Sequence, residues 1–160
     1  MSLYKIVNTF PIEKISKKIL KIISNTANVA ERSDFDSSKR LGACLEVKRQ
    51  IFYGHNLHRT RFGKTQYQSL HAEVNVILQA LKSFERNATL HTKQKLSSST
   101  VYVVRILSNT QDTHTTRSHK FGMSKPCLNC QQHLKKYNVK RIFYTDIING
   151  NEVLCEMRML

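Results

Sequence analysis

The sequence predicts an α/β protein in three layers, a mixed five-stranded sheet with helices on both faces. Three observations predict it. Apolar segments of strand length alternate with segments of helical period in the order helix, two strands, helix, strand, helix, strand, strand. Strand–helix–strand units of this kind require a partly parallel sheet covered on both sides. Tight-turn signals bracket the first and last strand pairs, so the first hairpin and the last strand should run antiparallel.

The elements follow in order. Residues 11–30 read as a helix, because Ile12, Ile15, Ile19, Ile22 and Val29 recur near helical spacing and Pro11 and Glu13 suit a first turn. Lys14, Lys17, Lys18 and Lys21 lie mainly off that stripe and form a solvated face. The polar stretch from Glu31 to Arg40 is a loop. Leu41–Val47 and Ile51–Gly54 are strands joined by the reversal Lys48-Arg49-Gln50. Asn56–Ser69, with His58, Arg59, Arg61, Gly63 and Lys64 and few apolar residues, reads as a basic loop. From Leu70 to about Arg86 the stripe Val74, Ile77, Leu78 and Leu81 predicts a helix with a core face. Residues 87–99 are a polar connection. Val101–Leu107 is nearly continuous in apolar character, as expected of a strand covered on both faces. Ser108–Met123 is a long polar loop of the kind that carries function. Pro126–Tyr137 is a helix stopped by Asn138 in a left-handed conformation, Val139–Thr145 is a strand, and Asn149-Gly150 turns the chain into a last strand from Val153.

The bulk numbers bound what this architecture can be. A chain of 160 residues with 40% apolar content supports one domain, residues 1–160, with a real core. No run of 18 apolar residues occurs, so no membrane span is expected, and the first residues lack the apolar region of a secretory signal. A cytoplasmic location follows as an expectation. Lys and Arg total 26 against 11 Asp and Glu, a net charge of +15, which favours nucleotides, nucleic acid or another anionic partner over neutral ones. The four cysteines, Cys44, Cys127, Cys130 and Cys155, are too few for a disulfide scaffold. Cys127 and Cys130 form a Cys-x-x-Cys pair suited to metal or redox work, whereas Cys44 sits in an apolar strand and reads as a small buried residue.

Two short stretches carry the chemistry: Leu70-His71-Ala72-Glu73-Val74-Asn75 and Ser124-Lys125-Pro126-Cys127-Leu128-Asn129-Cys130. Each falls at the start of a predicted helix, where free N–H groups and a partial positive charge stabilise thiolates and other anions. His71, Cys127 and Cys130 are a three-donor set for zinc with one position left open, and Glu73 is a carboxylate beside it with no ligand role of its own. A structural zinc site would need a fourth protein ligand, and neither Cys44 nor Cys155 has a partner at ligand spacing. A redox Cys-x-x-Cys would leave His71 and Glu73 unexplained. This ligand set with a non-ligating glutamate is the H-x-E…P-C-x-x-C signature of zinc deaminases.

On these residues the chain resembles the cytidine deaminase-like superfamily, and within it the CMP/dCMP-type (deoxycytidylate) branch. Gly54-His55-Asn56 and Val139-Lys140-Arg141-Ile142-Phe143-Tyr144 support the resemblance, which runs from about Leu41 to Asp146. It implies that His71, Cys127 and Cys130 bind Zn2+ and that Glu73 moves protons between water, the ring and the departing amine, with release of ammonia. It also implies that Asn56 contacts the sugar and that the Ala72 backbone N–H holds the base carbonyl. Arg59, Arg61 and Lys64 follow the sugar position and are candidates to clamp a phosphate. The substrate expected is a cytosine nucleotide or nucleoside. The alternatives are an RNA or single-stranded DNA base-editing deaminase and an idle nucleic-acid-binding relative. The resemblance further implies a homo-oligomer, dimer or tetramer. The other histidines, His55, His58, His91, His114, His119 and His133, read as ordinary loop and surface residues, although the loop holding His114 and His119 leads toward the second motif. The hairpin signal at Asn149-Gly150 departs from the parallel last strand usual in nucleotide deaminases and leaves nucleotide against nucleoside open.

Overall fold

The structure, a computed structural model, describes residues 2–36, 39–62, 65–86, 96–107 and 119–160, with backbone alone for 59–62, 65–69 and 85–86. Along the chain lie strand β1 (Tyr4–Pro11), a 3-10 turn (Ile12–Lys14), helix α1 (Lys17–Ala30), and strands β2 (Arg40–Val47), β3 (Gln50–His55), β4 (Leu57–Phe62) and β5 (Thr65–Leu70). Helix α2 (Ala72–Arg86), strands β6 (Thr100–Leu107) and β7 (Lys120–Gly122), helix α3 (Leu128–Lys136), and strands β8 (Arg141–Ile148) and β9 (Asn151–Met159) follow. The main sheet runs β1-β9-β8-β6-β2-β3, with β7 added alongside β6. Strands β6 and β8 are parallel, joined across α3, and the remaining pairings are antiparallel.

The three layers are as expected. Alternate residues of each central strand serve opposite faces. On one side α1 buries Ile22, Ile23, Ala27 and Ala30 against Cys44, Tyr102, Val104 and Phe143. On the other, Val76, Ile77 and Ala80 of α2 and Leu134 of α3 pack on Ala43, Leu45, Val101, Val103 and Ile142. Two glycines let the helices come this close. A Cβ on Gly42 would lie 2.3 Å from the Thr26 carbonyl oxygen of α1, and a Cβ on Gly54 would lie 2.8 Å from the Val76 nitrogen of α2. The approach at Gly54 lets Asn75 on α2 donate from Nδ2 to the His55 carbonyl at 2.8 Å, which locks the start of the helix onto the end of β3.

The turn chemistry holds. Lys48 (φ 56°) turns β2 into β3, Asn138 (φ 59°) ends α3, and Asn149 and Gly150 (φ 51° and 76°) form the two-residue turn of the antiparallel β8–β9 hairpin. Three expectations need correction. Among the described residues the sheet has seven strands rather than five, because Tyr4–Pro11 pairs with β9 and Lys120–Gly122 pairs with β6. The first helix begins at Lys17, not Pro11, because the Ser16 hydroxyl caps the Ile19 N–H at 3.3 Å while Pro11 closes β1. The stretch read as a basic loop is the hairpin β4–β5, with Leu57 paired to Leu70 and Phe62 to Thr65. Residues 108–118 of the long polar loop, His114 among them, and 87–95 of the polar connection, His91 among them, lie outside the described residues.

Candidate active site

The two motifs meet where α2 and α3 begin. His71 directly precedes α2, its carbonyl accepting from Asn75 N at 2.9 Å. Cys127 is the N-cap residue of α3 in extended conformation, and its thiol makes no cap hydrogen bond, so the sulfur is left for other work. The Cys127 carbonyl takes the first helical bond from Gln131 N at 2.9 Å, which fixes Cys130 one turn along. His71 Nδ1 lies 3.7 Å from Cys127 Sγ and 3.3 Å from Cys130 Sγ. All three donor atoms fall within 4.8 Å of one another. With Zn–N near 2.0 Å and Zn–S near 2.3 Å, a tetrahedral N–S edge is roughly 3.5 Å, so both His71–cysteine separations already suit one ion. Among the described residues no fourth His, Cys, Asp or Glu donor joins the set. The residues fit zinc with one coordination position open.

Glu73 sits in the first turn of α2, 3% exposed, outside the donor set. Burial raises its pKa from the ordinary carboxyl value, and its own backbone N–H, the nearby His71 and a hydrogen bond with Cys130 oppose that rise. Burial likewise raises the Cys130 thiol, helped by the charges of Glu73 and Cys127.

These groups form the floor of a cavity of about 330 Å³, which His71, Ala72, Glu73, Cys127 and Asn56 line. Asn56 lines the cavity, and its amide is largely spent. Its Oδ1 accepts from Leu41 N at 2.9 Å and Ser33 Oγ at 2.6 Å, and its Nδ2 donates to the Lys39 carbonyl at 2.8 Å. With both acceptor positions filled, one Nδ2 hydrogen is left for a ligand. Arg59 and Arg61 lie on β4, where only the backbone is described, and Lys64 lies outside the described residues. His119 does not line the cavity; its Nε2 meets Glu31 Oε1 at the end of α1. Cys44 is buried as expected, its thiol pushed up to about 12 by burial first and the charge of Glu46 second.

The cavity wall also holds residues to which the sequence assigned no role: Phe35, Lys39, Leu41, Arg105, Met123, Ser124 and Lys125. Two left signals. Arg105 is a charge inside an otherwise apolar strand, and Lys125 lies two residues before Cys127. Lys39 left none, since it reaches the wall only because Asn56 ties the rim back onto β3.

The α/β/α fold thus brings together a His-Cys-Cys set that could hold a metal ion, with a buried carboxylate beside it. The sequence profile described as the cytidine and deoxycytidylate deaminase zinc-binding region matches residues 16–146, and the chain belongs to that family. Among solved structures the fold is similar to a cytidine deaminase from Burkholderia pseudomallei, with a TM-score of 0.50 and 17% identity over 87% of this chain and 91% of that one. A dCMP deaminase from the cyanophage S-TIM5 aligns with a TM-score of 0.49 and 16% identity over 85% and 89% of the two chains. No curated protein sequence matches the chain. Among the described residues no helix is long and apolar enough to cross a membrane.

Proposed function

We propose that the protein hydrolytically deaminates a cytosine nucleoside or nucleotide to its uracil form and releases ammonia. His71, Cys127 and Cys130 hold zinc, and Glu73 is the proton carrier. The observation that carries this reading is Glu73, buried at the cavity floor beside the donor set without belonging to it. When bound, the zinc supplies Lewis-acid activation of water, lowering its pKa toward 7. Glu73 is placed to take one proton from the attacking water and pass it to the ring nitrogen as the water oxygen bonds to the amine-bearing carbon, and then to carry the remaining hydroxyl proton to the amine, which leaves as ammonia when the C–N bond breaks. The Ala72 N–H is one of the unbonded donors of the first helical turn and is directed to the base carbonyl. Asn56 offers its remaining N–H to a sugar oxygen. A merely nucleic-acid-binding relative would leave the cost of burying Glu73 beside the donors without a use.

The test is Glu73→Gln beside Cys127→Ser. Glu73→Gln keeps about one zinc per chain and loses roughly 100- to 10,000-fold in turnover of cytosine compounds. Cys127→Ser loses the metal. Full activity in Glu73→Gln ends the proposal. The same reading expects a dimer or tetramer, to be checked by light scattering. It also places the protein in the reducing cytoplasm, where its four free cysteines persist and where cell fractionation should find it.

A further inference from the structure

We propose that the protein binds nucleic acid through a surface remote from the cavity, where Lys5, Arg141 and Arg158 engage the phosphodiester backbone of a strand. The inference goes beyond the deaminase reading and does not rest on it, because the cavity takes no part.

The strand register sets the three cations in line. Arg141 of β8 faces Arg158 of β9, and Arg158 faces Lys5 of β1. Directly opposed residues share a face of the sheet. Here it is the face that carries α1, since Phe143, two residues past Arg141, packs with the α1 side chains. The row continues through Thr100 of β6 to Glu46 of β2, where Lys18 of α1 meets Glu46 at 3.8 Å. Five strands at a spacing of about 4.8 Å make a band roughly 19 Å long. Thr100 opens β6, whereas the cavity residue Arg105 lies five positions further on, about 17 Å along the strand. Lys5 and Arg158 also fall outside residues 16–146, the segment that the family profile matches.

Like charges placed directly opposite one another destabilise a sheet, so this row calls for counter-charge. Buried Glu156 supplies part of it. One of its oxygens accepts from Arg141 Nε at 3.0 Å and Arg158 Nε at 2.9 Å, and the other accepts from Asn8 Nδ2 at 2.8 Å. The Arg141 guanidinium also lies over the Phe143 ring, 5.1 Å from its centroid. Both arginines are thus engaged and held in place, yet their side chains stay 45% and 57% exposed. Lys5 is exposed and, among the described residues, forms no ion pair. Three positive charges share one carboxylate, and the surplus faces solvent on side chains already ordered, which lowers the cost of binding. Guanidinium groups suit phosphate oxygens in geometry and in their weak hydration. The cations are strung along a strand face, so the matching ligand carries its charges in series. A nucleic acid strand does so by construction, one phosphate per nucleotide, and the net charge of +15 draws such a polyanion in. None of the residues in the row is aromatic, so the contact is with phosphates rather than stacked bases and is indifferent to base sequence.

Fluorescence anisotropy with a labelled thymidine oligonucleotide of about 15 nucleotides tests this. Thymine has no amine to lose, so binding is read without turnover and the result stands whether or not cytosine compounds are deaminated. The wild type should bind at low salt and weaken steeply as salt rises. Lys5→Gln and Arg158→Gln should each weaken binding about 3- to 10-fold at low salt and lower the log–log salt slope by about 0.7, and the double variant by about 1.4. Lys5→Gln removes no bond to Glu156, so it decides the matter alone if Arg158→Gln fails to fold. Lys82→Gln, the same charge change on an exposed position of α2 across the sheet, should leave affinity and slope unmoved. A wild type that does not bind at low salt overturns the proposal, and so does a Lys5→Gln protein with wild-type affinity and slope. Polyglutamate that displaces the oligonucleotide at equal charge concentration would make the partner an acidic protein and end the nucleic-acid assignment.

Discussion

Glu156 is a buried carboxylate that lies outside the His-Cys-Cys set. Its side chain, 3% exposed, accepts from Asn8 Nδ2 at 2.8 Å, Arg158 Nε at 2.9 Å and Arg141 Nε at 3.0 Å, tying together β1, β9 and β8. Burial alone would raise its pKa, but the three donors outweigh it and hold the carboxyl below its ordinary value of 4.5. A carboxyl that binds its proton less tightly when folded contributes stability above the unfolded pKa, and that stability is lost as pH falls through the lower folded value. Glu156→Gln should therefore be about 1 to 2 kcal/mol less stable than the wild type at neutral pH, and the gap should close as pH drops below about 4.5. Urea unfolding between about pH 7 and about pH 3 measures it, and a gap that stays constant over that range contradicts the account. Residues of this kind mark the limit of what spacing reveals. His71, Glu73, Cys127 and Cys130 were legible because helix starts and a two-residue interval fix their geometry locally. Glu156 owes its role to a partner as far as 148 positions away in the chain, and no local pattern records that.

At the scale of elements, legibility followed burial. Strand β6 was plain because apolar residues cover both its faces, and the β8–β9 hairpin because Asn149-Gly150 matches the positive φ that its turn requires. Strand β1 was missed because it is an edge strand on which only Tyr4 is buried, so no period of two is impressed on Tyr4–Pro11. The β4–β5 hairpin was missed for a related reason. Leu57 and Leu70, paired where the two strands meet the core, are its apolar anchors, and the rest reads as polar loop. Glycines on these elements separate two causes of the same damage. Gly42→Ala puts a Cβ 2.3 Å from the Thr26 carbonyl oxygen, so α1 must move off the sheet, at a cost of about 2 to 3 kcal/mol. Gly150→Ala meets nothing within 4 Å, but its φ of 76° disfavours any Cβ and should cost about 1 kcal/mol. Thermal unfolding ranks the two. Equal losses would mean that the close approach of α1 at Gly42 carries no energy of its own.

At the scale of the whole molecule, a metal held by the His-Cys-Cys set would couple distant parts of the chain. His71 and Cys127 are 56 positions apart in the chain and lie at the heads of two helices that share one hydrophobic layer with the sheet. An ion bridging them favours the folded chain alone, because the donors are gathered only there. Its contribution grows as RT ln(1 + [Zn]/Kd), about 2.7 kcal/mol at a hundredfold excess over Kd. For a domain of this size each kcal/mol moves Tm by roughly 2 to 4 °C, so zinc should raise Tm by about 5 to 11 °C over chelated protein. The shift must vanish in His71→Ala, which loses one of three donors, and must persist in Glu73→Gln, which loses none. That contrast separates a zinc held by His71, Cys127 and Cys130 from one bound loosely elsewhere on the chain. A shift that survives in His71→Ala would move the metal away from the cavity floor, and the catalytic reading of Glu73 would go with it.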